Sequence, residues 1–408
     1  MNTEKITIAV LGTFDSKGEE HLFLKNRIEA IGLKALTINV GTKGRPLFEP
    51  DFDIHSELFN KAETSGSRDE AIALVISRAG ELVERLFGKG LISGIVSAGG
   101  GTGTHICTSI MKVLPLGIPK IMVSTVASRD MSSVVGTKDV TMMHSVVDLL
   151  GVNSVTGAVL DKAAEAVCAM ARAKWRPGSP RKRIALTMFG FITEGAEHAR
   201  AELEALGYEV IAFHANGTGG MAMEELASEG LFDGILDLAT HEFADELKAG
   251  YCKGIGPKRL APPEGRRIPR LVVPGGLDCA VLEFTRDNIP EVYKERPIFF
   301  YDFRSAIRLS ADETRQIALI VAERLNLAPR DTRVLVPLRG WSEAGRKGGP
   351  LFDQVLTQAF LETLRERLYK KIVISEADYH INDPAFAELA ARHLHEMVCS
   401  NGMPEHRP

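Results

Sequence analysis

Five segments of the chain recur in its second half, in the same order and at similar spacing. Each pair falls at the same point of an alternation between apolar strand-like runs and amphipathic helical stretches. The pairs are residues 6–12 with 183–190, 18–21 with 195–198, 31–32 with 206–207, 93–97 with 233–237, and 118–123 with 268–273. Apolar strands alternating with helices are typical of parallel sheets covered on both faces. The sequence therefore predicts an α/β fold of two Rossmann-like, doubly wound parallel-sheet lobes related by internal duplication, with a ligand cleft between them.

The boundary between the lobes is predicted within residues 173–183, a segment rich in proline and positive charge. This gives a first lobe at 1–178 and a second lobe, with the C-terminal helices, at 179–408. The same basic segment could be interpreted as a nucleic-acid patch, but a solvated linker is preferred. Lys and Arg total 49 against 53 Asp and Glu, and this balance argues against nucleic acid as a partner.

The cysteines and the hydropathy pattern predict a cytoplasmic protein. The five cysteines have no metal-type spacing, which fits free thiols in a reducing compartment. No HExxH helix or Cys/His cluster in the sequence predicts zinc. No signal-peptide region is evident, and no apolar run approaches the roughly 20 residues that span a bilayer. We therefore expect no membrane association.

Two polar loops follow strands of the first lobe, where ligands bind in open α/β sheets. The loop after the first strand offers a hydroxyl, a carboxylate and an ammonium group, although Asp15 could equally cap the next helix. The loop after the third strand is dense in Gly and Thr and opens a helix, which favours a phosphate or carboxylate over a bland turn. It fits neither the Walker A pattern nor GxGxxG. The candidate cofactor-binding residues here are Thr13, Asp15, Lys17, Gly99, Gly100, Gly101, Thr102, Gly103, Thr104, Ser124 and Thr125.

The second lobe contains a GxGxxA pattern after a strand. Gly217, Gly219 and the neighbouring Gly220 are candidate cofactor-binding residues, and Asp237 lies where a ribose-binding acid is expected. The pattern is the only support for a third hypothesis, a Rossmann oxidoreductase. Glu224, at the start of the following helix, could simply complement the helix dipole.

Titratable side chains cluster at predicted strand ends. Asp130 and Asp278 each follow a repeated Ile-Pro strand, and could flank a site for Mg²⁺ or proton transfer, or be two independent caps. Arg304 and Arg308 could clamp a carboxylate or phosphate. His214 is either an acid/base group or a satisfied loop histidine, and the segment around His380 is also an ordinary helix start. The candidate catalytic residues are Asp130, His214, Glu242, Asp278, Arg304, Arg308 and His380.

Several motifs together resemble one family over nearly the whole chain. They lie at residues 12–17, 99–104, 122–128, 145–153, 187–190, 213–220 and 381–384. The chain is similar to the ATP-binding domain family of the plant tobamovirus-resistance protein, otherwise an uncharacterised protein family. The resemblance implies two Rossmann-like subdomains, a homodimer or larger assembly, and ATP with Mg²⁺ in a Gly-rich site. It also implies a separate barrel-fold protein as a partner.

The second lobe departs from this family pattern. The chain has Met221 where the family has Arg, and a Leu-Ala-Thr-His-Glu run at 238–242 where the family has a Thr-rich stretch before Glu. The chain is therefore identified as a member that is divergent in its second lobe.

Two functional hypotheses follow. The first is a nucleotide-binding enzyme that acts on a small carboxylated or phosphorylated metabolite, as a hydrolase, lyase or phosphoryl-transfer enzyme. The many titratable groups at strand ends favour it, because a protein that only holds a nucleotide needs fewer. The alternative is a nucleotide-binding regulatory module without chemistry of its own, working with the barrel-type partner.

Overall fold

The computed structural model describes residues 6–59, 67–174 and 180–401. The chain divides into two compact units, Met1–Pro177 and Gly178–Pro408. The predicted boundary at 178/179 and residues 175–179 of the predicted linker lie outside the described residues. Among the described helices, none has both the length and the apolar character that a bilayer span requires.

The first unit is built on one six-stranded parallel sheet. Its strands are β1 (Thr7–Gly12), β2 (Lys34–Asn39), β3 (Phe52–Asp53), β4 (Gly94–Gly99), β5 (Lys120–Ser124) and β6 (Thr141–His144). Their order across the sheet is β3-β2-β1-β4-β5-β6, and every pairing is parallel. Its helices are α1 (Gly18–Ala30), α2 (Ile54–Phe59), α3 (Arg68–Gly88), α4 (Gly101–Met111), α5 (Ser132–Val135) and α6 (Ser154–Arg172).

Strand β1 shows why this sheet is covered on both faces. All six of its residues are buried, and successive side chains of a strand point to opposite faces. Ile8 and Val10 pack against α1 and α6, whereas Ala9 and Leu11 pack against α3 and α4. The uninterrupted apolar run therefore supplies two separate core layers, and the polar loops are left at the strand ends.

The second unit contains another six-stranded parallel sheet and a small antiparallel one. Its strands are β7 (Arg183–Met188), β8 (Glu209–His214), β9 (Gly234–Ala239), β10 (Arg270–Gly275), β11 (Cys279–Leu282), β12 (Ile298–Phe300), β13 (Ser305–Arg308), β14 (Thr332–Pro337) and β15 (Val373–Ala377). The parallel order is β15-β14-β10-β9-β7-β8, and the antiparallel order is β11-β13-β12. The helices are α7 (Thr193–Ala205), α8 (Thr218–Glu229), α9 (Glu242–Lys248), α10 (Ala311–Leu325), α11 (Gln354–Arg367) and α12 (Pro384–Asn401).

The predicted fold class is confirmed, because each unit is a Rossmann-like parallel sheet with helices. The order β2-β1-β4-β5 in the first unit matches β8-β7-β9-β10 in the second. The recurring sequence segments fall on three of these strand pairs, on the first turns of α1 and α7, and on the turns that lead into β2 and β8. The antiparallel sheet has no counterpart in the first unit and was not predicted.

Candidate functional site

A cavity of about 220 Å³ lies at the carboxyl ends of β1 and β4 in the first unit. It joins the two loops that the sequence analysis singled out. Its lining residues are Thr13, Asp15, Ser16, Lys17, Thr42, Lys43, Arg68, Gly100, Gly101, Thr102, Gly103 and Ile106. Three of these side chains are cationic and one is anionic, so the lining favours an anion.

The start of α4 adds backbone donors to this cavity. Its N-cap, Gly100, makes no side-chain hydrogen bond to the helix. In the part of the chain that the structure describes, the N–H groups of Gly101, Thr102 and Gly103 have no hydrogen-bond acceptor. Unpaired N–H groups and the positive end of the helix dipole together attract phosphate and carboxylate groups.

The glycines of this turn are not required by the protein's own packing. A Cβ atom would meet no non-neighbouring atom within 4 Å at Gly101, and its nearest such contact would be 3.8 Å away at Gly100 and 4.0 Å away at Gly103. None of the three has a positive φ. Glycine inside a helix costs roughly 0.5–1 kcal/mol relative to alanine. Close approach of a ligand to the backbone is a physical reason for keeping glycine here.

Asp15 and Lys17 hold the wall of the cavity together. The Asp15 carboxylate accepts the backbone N–H of Lys43 at 2.8 Å. The alternative that Asp15 caps α1 is wrong, since the N-cap is Lys17 and no side chain caps the helix. The Lys17 ammonium donates to the carbonyl oxygen of Leu149. Lys43 and Arg68 line the cavity, and neither side chain forms an ion pair with any described residue.

Thr104, Ser124 and Thr125 lie beside the cavity and do not line it. The buried hydroxyl groups of Thr104 and Ser124 lie 2.7 Å apart and satisfy each other. The Thr125 N–H donates to the Gly99 carbonyl at 3.2 Å. These residues hold α4 against the end of β5. They therefore support the cavity structurally, whereas the sequence had predicted that they would bind the ligand directly.

His21 is a buried residue next to this site that the sequence analysis did not assign. Its Nδ1 lies 2.6 Å from the carbonyl oxygen of Lys17, and its Nε2 lies 3.3 Å from the N–H of Ala98. A carbonyl only accepts, so Nδ1 carries the proton and Nε2 accepts. Burial lowers the pKa of His21 to about 4. The neutral ring therefore joins the turn after β1 to the end of β4.

The Gly-rich turn of the second unit is closed by the protein itself. The N–H of Gly217 donates to a Glu242 carboxylate oxygen at 2.8 Å. A Cβ at Gly220 would come within 2.6 Å of that carboxylate, and a Cβ at Gly219 would collide with the carbonyl of His214. Gly217 has φ of +87°. These three glycines are required by packing and backbone conformation, and the anion position is taken by Glu242.

A buried network of charges explains why Glu242 and Asp237 are not free for a ligand. Arg259 donates to Glu242 at 2.7 Å and to both oxygens of Asp237 at 2.6 Å. Asp237 also accepts the Thr187 hydroxyl at 2.8 Å. Burial opposes the charge on Arg259, but the two carboxylates outweigh it and raise its pKa. Asp237 therefore lacks a free oxygen for a ribose, which removes the support for the oxidoreductase hypothesis.

Asp278 and His380 meet around Ser342. The Ser342 hydroxyl donates to one oxygen of Asp278 at 2.6 Å, and the Ser342 carbonyl lies 2.9 Å from Nε2 of His380. The other Asp278 oxygen is buried and has no partner among the described residues. Burial raises the pKa of Asp278 to about 6. A carboxyl group whose pKa is raised by burial in this way is typical of proton-transfer groups.

Two cavities, of about 430 and 640 Å³, adjoin His380 at the ends of β7, β14 and β15. Both are lined by His380 and Arg346, whose guanidinium lies 3.2 Å from Nδ1 of the ring. Glu194 and Glu343 also line the smaller cavity. The sequence analysis did not select Arg346, because it lies nine residues beyond a strand in a Gly-rich loop with no recognisable pattern.

The remaining candidate catalytic residues are separated. Asp130 is exposed and accepts the Ser132 N–H at 2.9 Å, as a local cap does. Arg304 pairs with Asp302 at 2.7 Å, whereas Arg308 lies 3.6 Å from Asp353. The two arginines thus face different carboxylates, and the predicted clamp does not form. His214 ends β8, where partial burial and then the charge of Arg304 lower its pKa.

The fold and these cavities define a protein of two Rossmann-like α/β units whose first unit carries a glycine-lined, cationic cavity. The model of the uncharacterised protein family (UPF0261) N-terminal domain matches residues 6–176, and that of the C-terminal domain matches residues 181–398. The chain therefore belongs to the UPF0261 family.

Relatives extend over the whole chain. A UPF0261 protein of Clostridium tetani is 37% identical over 96% of this chain and 98% of its own length. A UPF0261 protein of Rhizobium meliloti is 35% identical over 94% of this chain and 97% of its own length. The ToMV susceptible protein tm-1(GCR26) of Solanum lycopersicum is 28% identical over 97% of this chain, which corresponds to 56% of the tomato protein.

Solved structures resemble the chain only distantly. A UDP-N-acetylglucosamine 2-epimerase from Rickettsia bellii aligns over 97% of this chain and 96% of its own, with a TM-score of 0.25 and 11% identity. A similarity this distant assigns no activity to the chain, whether present or absent.

Proposed function

We propose that the first unit binds a nucleotide, with ATP as the candidate, through phosphate groups placed at the start of α4. The observation that carries this proposal is the turn of Gly100, Gly101 and Gly103, where glycine is needed by neither packing nor backbone conformation. Three unpaired N–H groups and the side chains of Lys43 and Arg68 supply the donors and charge that phosphates need.

Mg²⁺ would accompany the nucleotide in this proposal. Mg²⁺ in nucleotide sites usually binds one or two carboxylates, phosphate oxygens and water. Asp15 is the only carboxylate among the residues that line the cavity. Asp15 is therefore the candidate side chain for the metal, directly or through a water molecule.

We further propose that the chain is an enzyme acting on a small carboxylated or phosphorylated metabolite. The cavities beside His380 and Arg346 support this, since a guanidinium pairs well with carboxylate and phosphate groups. Asp278, with its raised pKa, is the candidate acid/base group behind them.

A regulatory module without its own chemistry is the second candidate. Glu242, Arg304 and Arg308 form ion pairs within the second unit, and none of them lines the three cavities described above. A module of this kind would pass the effect of nucleotide binding to another protein. The barrel-fold partner predicted from the family resemblance remains the candidate for that role.

Assembly into a homo-oligomer is also a proposal, and an apolar loop of the first unit supports it. Leu150 and Val146 are 86% and 69% exposed, and Val152 and Val155 are exposed near them. Large apolar patches on a protein surface commonly mark contact surfaces. Light scattering would show a dimer for the native chain, and a smaller dimer fraction for Leu150→Ser. A native chain that is monomeric at all concentrations would contradict the proposal.

Titration calorimetry with ATP, with and without Mg²⁺, tests nucleotide binding. Arg68→Met removes a cavity charge and should weaken binding about tenfold, equivalent to about 1.4 kcal/mol. The matched control is Arg85→Met, at the exposed C-terminal end of the same helix α3, which should bind as the native chain does. Absence of ATP binding in the native chain, or equal loss in both variants, would refute the proposal.

Product analysis separates the enzyme from the module. The native chain is incubated with ATP, Mg²⁺ and a panel of small carboxylates, and the nucleotide products are analysed. Turnover that Asp278→Asn abolishes, with folding and ATP binding retained, supports the enzyme. Binding without any product, alone or with a barrel-fold partner, supports the module.

A further inference from the structure

Three buried side chains of the second unit place a nitrogen, an oxygen and a sulfur atom close together. The ligand atoms of His241, Asp245 and Cys252 all lie within 4.8 Å of one another. The three residues are 0%, 0% and 4% exposed. They are not part of the cavity proposed for the nucleotide, which belongs to the first unit.

The local fold positions these groups through the start of α9. His241 is the N-cap and Asp245 lies four residues later, so both project from the same face of the helix. The Asp245 carboxylate accepts the N–H of Cys252 and the N–H of Val281, each at 2.7 Å. The first of these bonds holds the segment after α9 against the helix. Cys252 is therefore placed by backbone contacts and not by chance proximity.

His241 is the unusual member of the group. Both of its ring nitrogens are buried and have no hydrogen-bond partner among the described residues. The ring stacks on Phe189 at 3.8 Å, which fixes its plane. Buried polar atoms nearly always have a partner, and one without any requires an explanation such as a bound ion. A metal ion bound at one ring nitrogen would supply it.

The donor set selects the kind of metal. An imidazole nitrogen, a thiolate and a carboxylate suit Zn²⁺, whereas Mg²⁺ and Ca²⁺ prefer oxygen ligands alone. The charges also balance, since one thiolate and one carboxylate neutralise a divalent cation in a buried place. Three protein ligands leave a fourth position for water or a substrate, as in catalytic zinc sites.

We propose that His241, Asp245 and Cys252 form a binding site for a thiophilic divalent metal ion, Zn²⁺ first, with one open coordination position. This proposal goes beyond nucleotide binding in the first unit, and either proposal can fail alone. No zinc motif is recognisable in the sequence, because the spacing of four and then seven residues, with mixed ligand types, matches no familiar pattern.

The test uses the full chain after chelator dialysis, with ZnCl₂ or CoCl₂ as the only addition. We expect one zinc per chain by elemental analysis, and a thiolate-to-cobalt charge-transfer band in the near ultraviolet with Co²⁺. Cys252→Ser should abolish the band and weaken zinc binding about 100-fold. His241→Gln should weaken zinc binding while keeping a cobalt–thiolate band. Cys107→Ser, which alters a fully buried thiol of the first unit, is the control and should behave as the native chain.

The outcomes decide the proposal without depending on one variant. Absence of both stoichiometric zinc and the cobalt band in the native chain would overturn it, even if Cys252→Ser fails to fold. Equal zinc affinity in Cys252→Ser and the native chain, with native circular dichroism, would also overturn it. Loss of zinc binding in Cys252→Ser, with ATP binding unchanged, would support the site and leave the nucleotide proposal standing.

Discussion

The Glu242 carboxylate accepts the backbone N–H of Gly217 at 2.8 Å, so the glycine-rich turn of the second unit closes on an anion of the protein's own. The same carboxylate accepts Arg259 Nε at 2.7 Å. The first unit has the opposite arrangement, because the amides of Gly101 and Gly103 face a cationic cavity. Two glycine-rich turns of similar composition thus differ in what they face, a carboxylate of the protein in one unit and an open cavity in the other. Substitutions in each turn can test this difference.

Glu242→Ala should destabilise the second unit by about 3 kcal/mol, because removing one partner leaves the Arg259 charge buried with fewer contacts. The expected value lies at the low end of the usual range, since Asp237 still pairs with Arg259. Urea unfolding at pH 7 measures the loss. Glu202→Ala, on the exposed face of α7, is the control and should change stability little. Equal effects of the two substitutions would contradict the role given to Glu242.

Gly103→Ala should stabilise the folded chain by about 0.5–1 kcal/mol, because alanine is the better helix residue and the Cβ has space. The same methyl group should weaken ATP binding about tenfold, since it enters the space of the phosphates. Gly157→Ala in α6 is the matched control, with a similar gain in stability and unchanged binding. A Gly103→Ala variant that binds ATP as tightly as the native chain would argue against phosphate at this turn.

His21 should make the first unit sensitive to acid. Its folded pKa is about 4, below the ordinary value of 6.5. The unfolded state therefore takes up a proton first as the pH falls, and stability is lost progressively from about pH 6.5 towards pH 4. Between pH 7 and pH 5 the loss is roughly 2 kcal/mol. Urea midpoints over this range should fall more steeply for the native chain than for His21→Gln, and parallel curves would exclude the effect.

Asp278 should have the opposite dependence on pH. Its folded pKa is raised to about 6 from 3.8, so its ionisation penalises the folded state as the pH rises through that interval. Asp278→Asn keeps the size of the side chain and an acceptor for Ser342, and it removes the charge. It should be more stable than the native chain at pH 8, by roughly 1–3 kcal/mol, and equally stable near pH 4. Greater stability of the native chain at pH 8 would contradict the buried, uncompensated carboxylate.

The repeated strands could be predicted because a strand that is buried on both faces consists of an uninterrupted run of apolar residues. The segments that recur at 6–12 and 183–190 became β1 and β7, each paired with a strand on both sides. The strands of the antiparallel sheet contain no apolar run of this length. Its strands β12 and β13 have three and four residues, and short runs near loops rich in charge and proline show no period.

The chemistry of the second unit could not be predicted because it depends on residues far apart in sequence. The N–H of Gly217 is occupied by Glu242, 25 residues later, and Glu242 is in turn held by Arg259, which lies in a loop without any recognisable sequence pattern. The turn before α4 is different, since its glycines and its helix are adjacent in the chain. Local signals were therefore sufficient for the first unit and insufficient for the second.

The matching strand order has a consequence for stoichiometry. Strand β4 corresponds to β9, so the turn at Gly100–Gly103 corresponds to the turn that carries His241 and Glu242. In the second unit this turn carries the buried side chains of His241 and Glu242, whereas in the first unit its glycines line a cavity. A chain with two similar halves should therefore saturate with a single equivalent of nucleotide. In a calorimetric scan the nucleotide should raise the melting temperature of the first unit and leave that of the second unit unchanged.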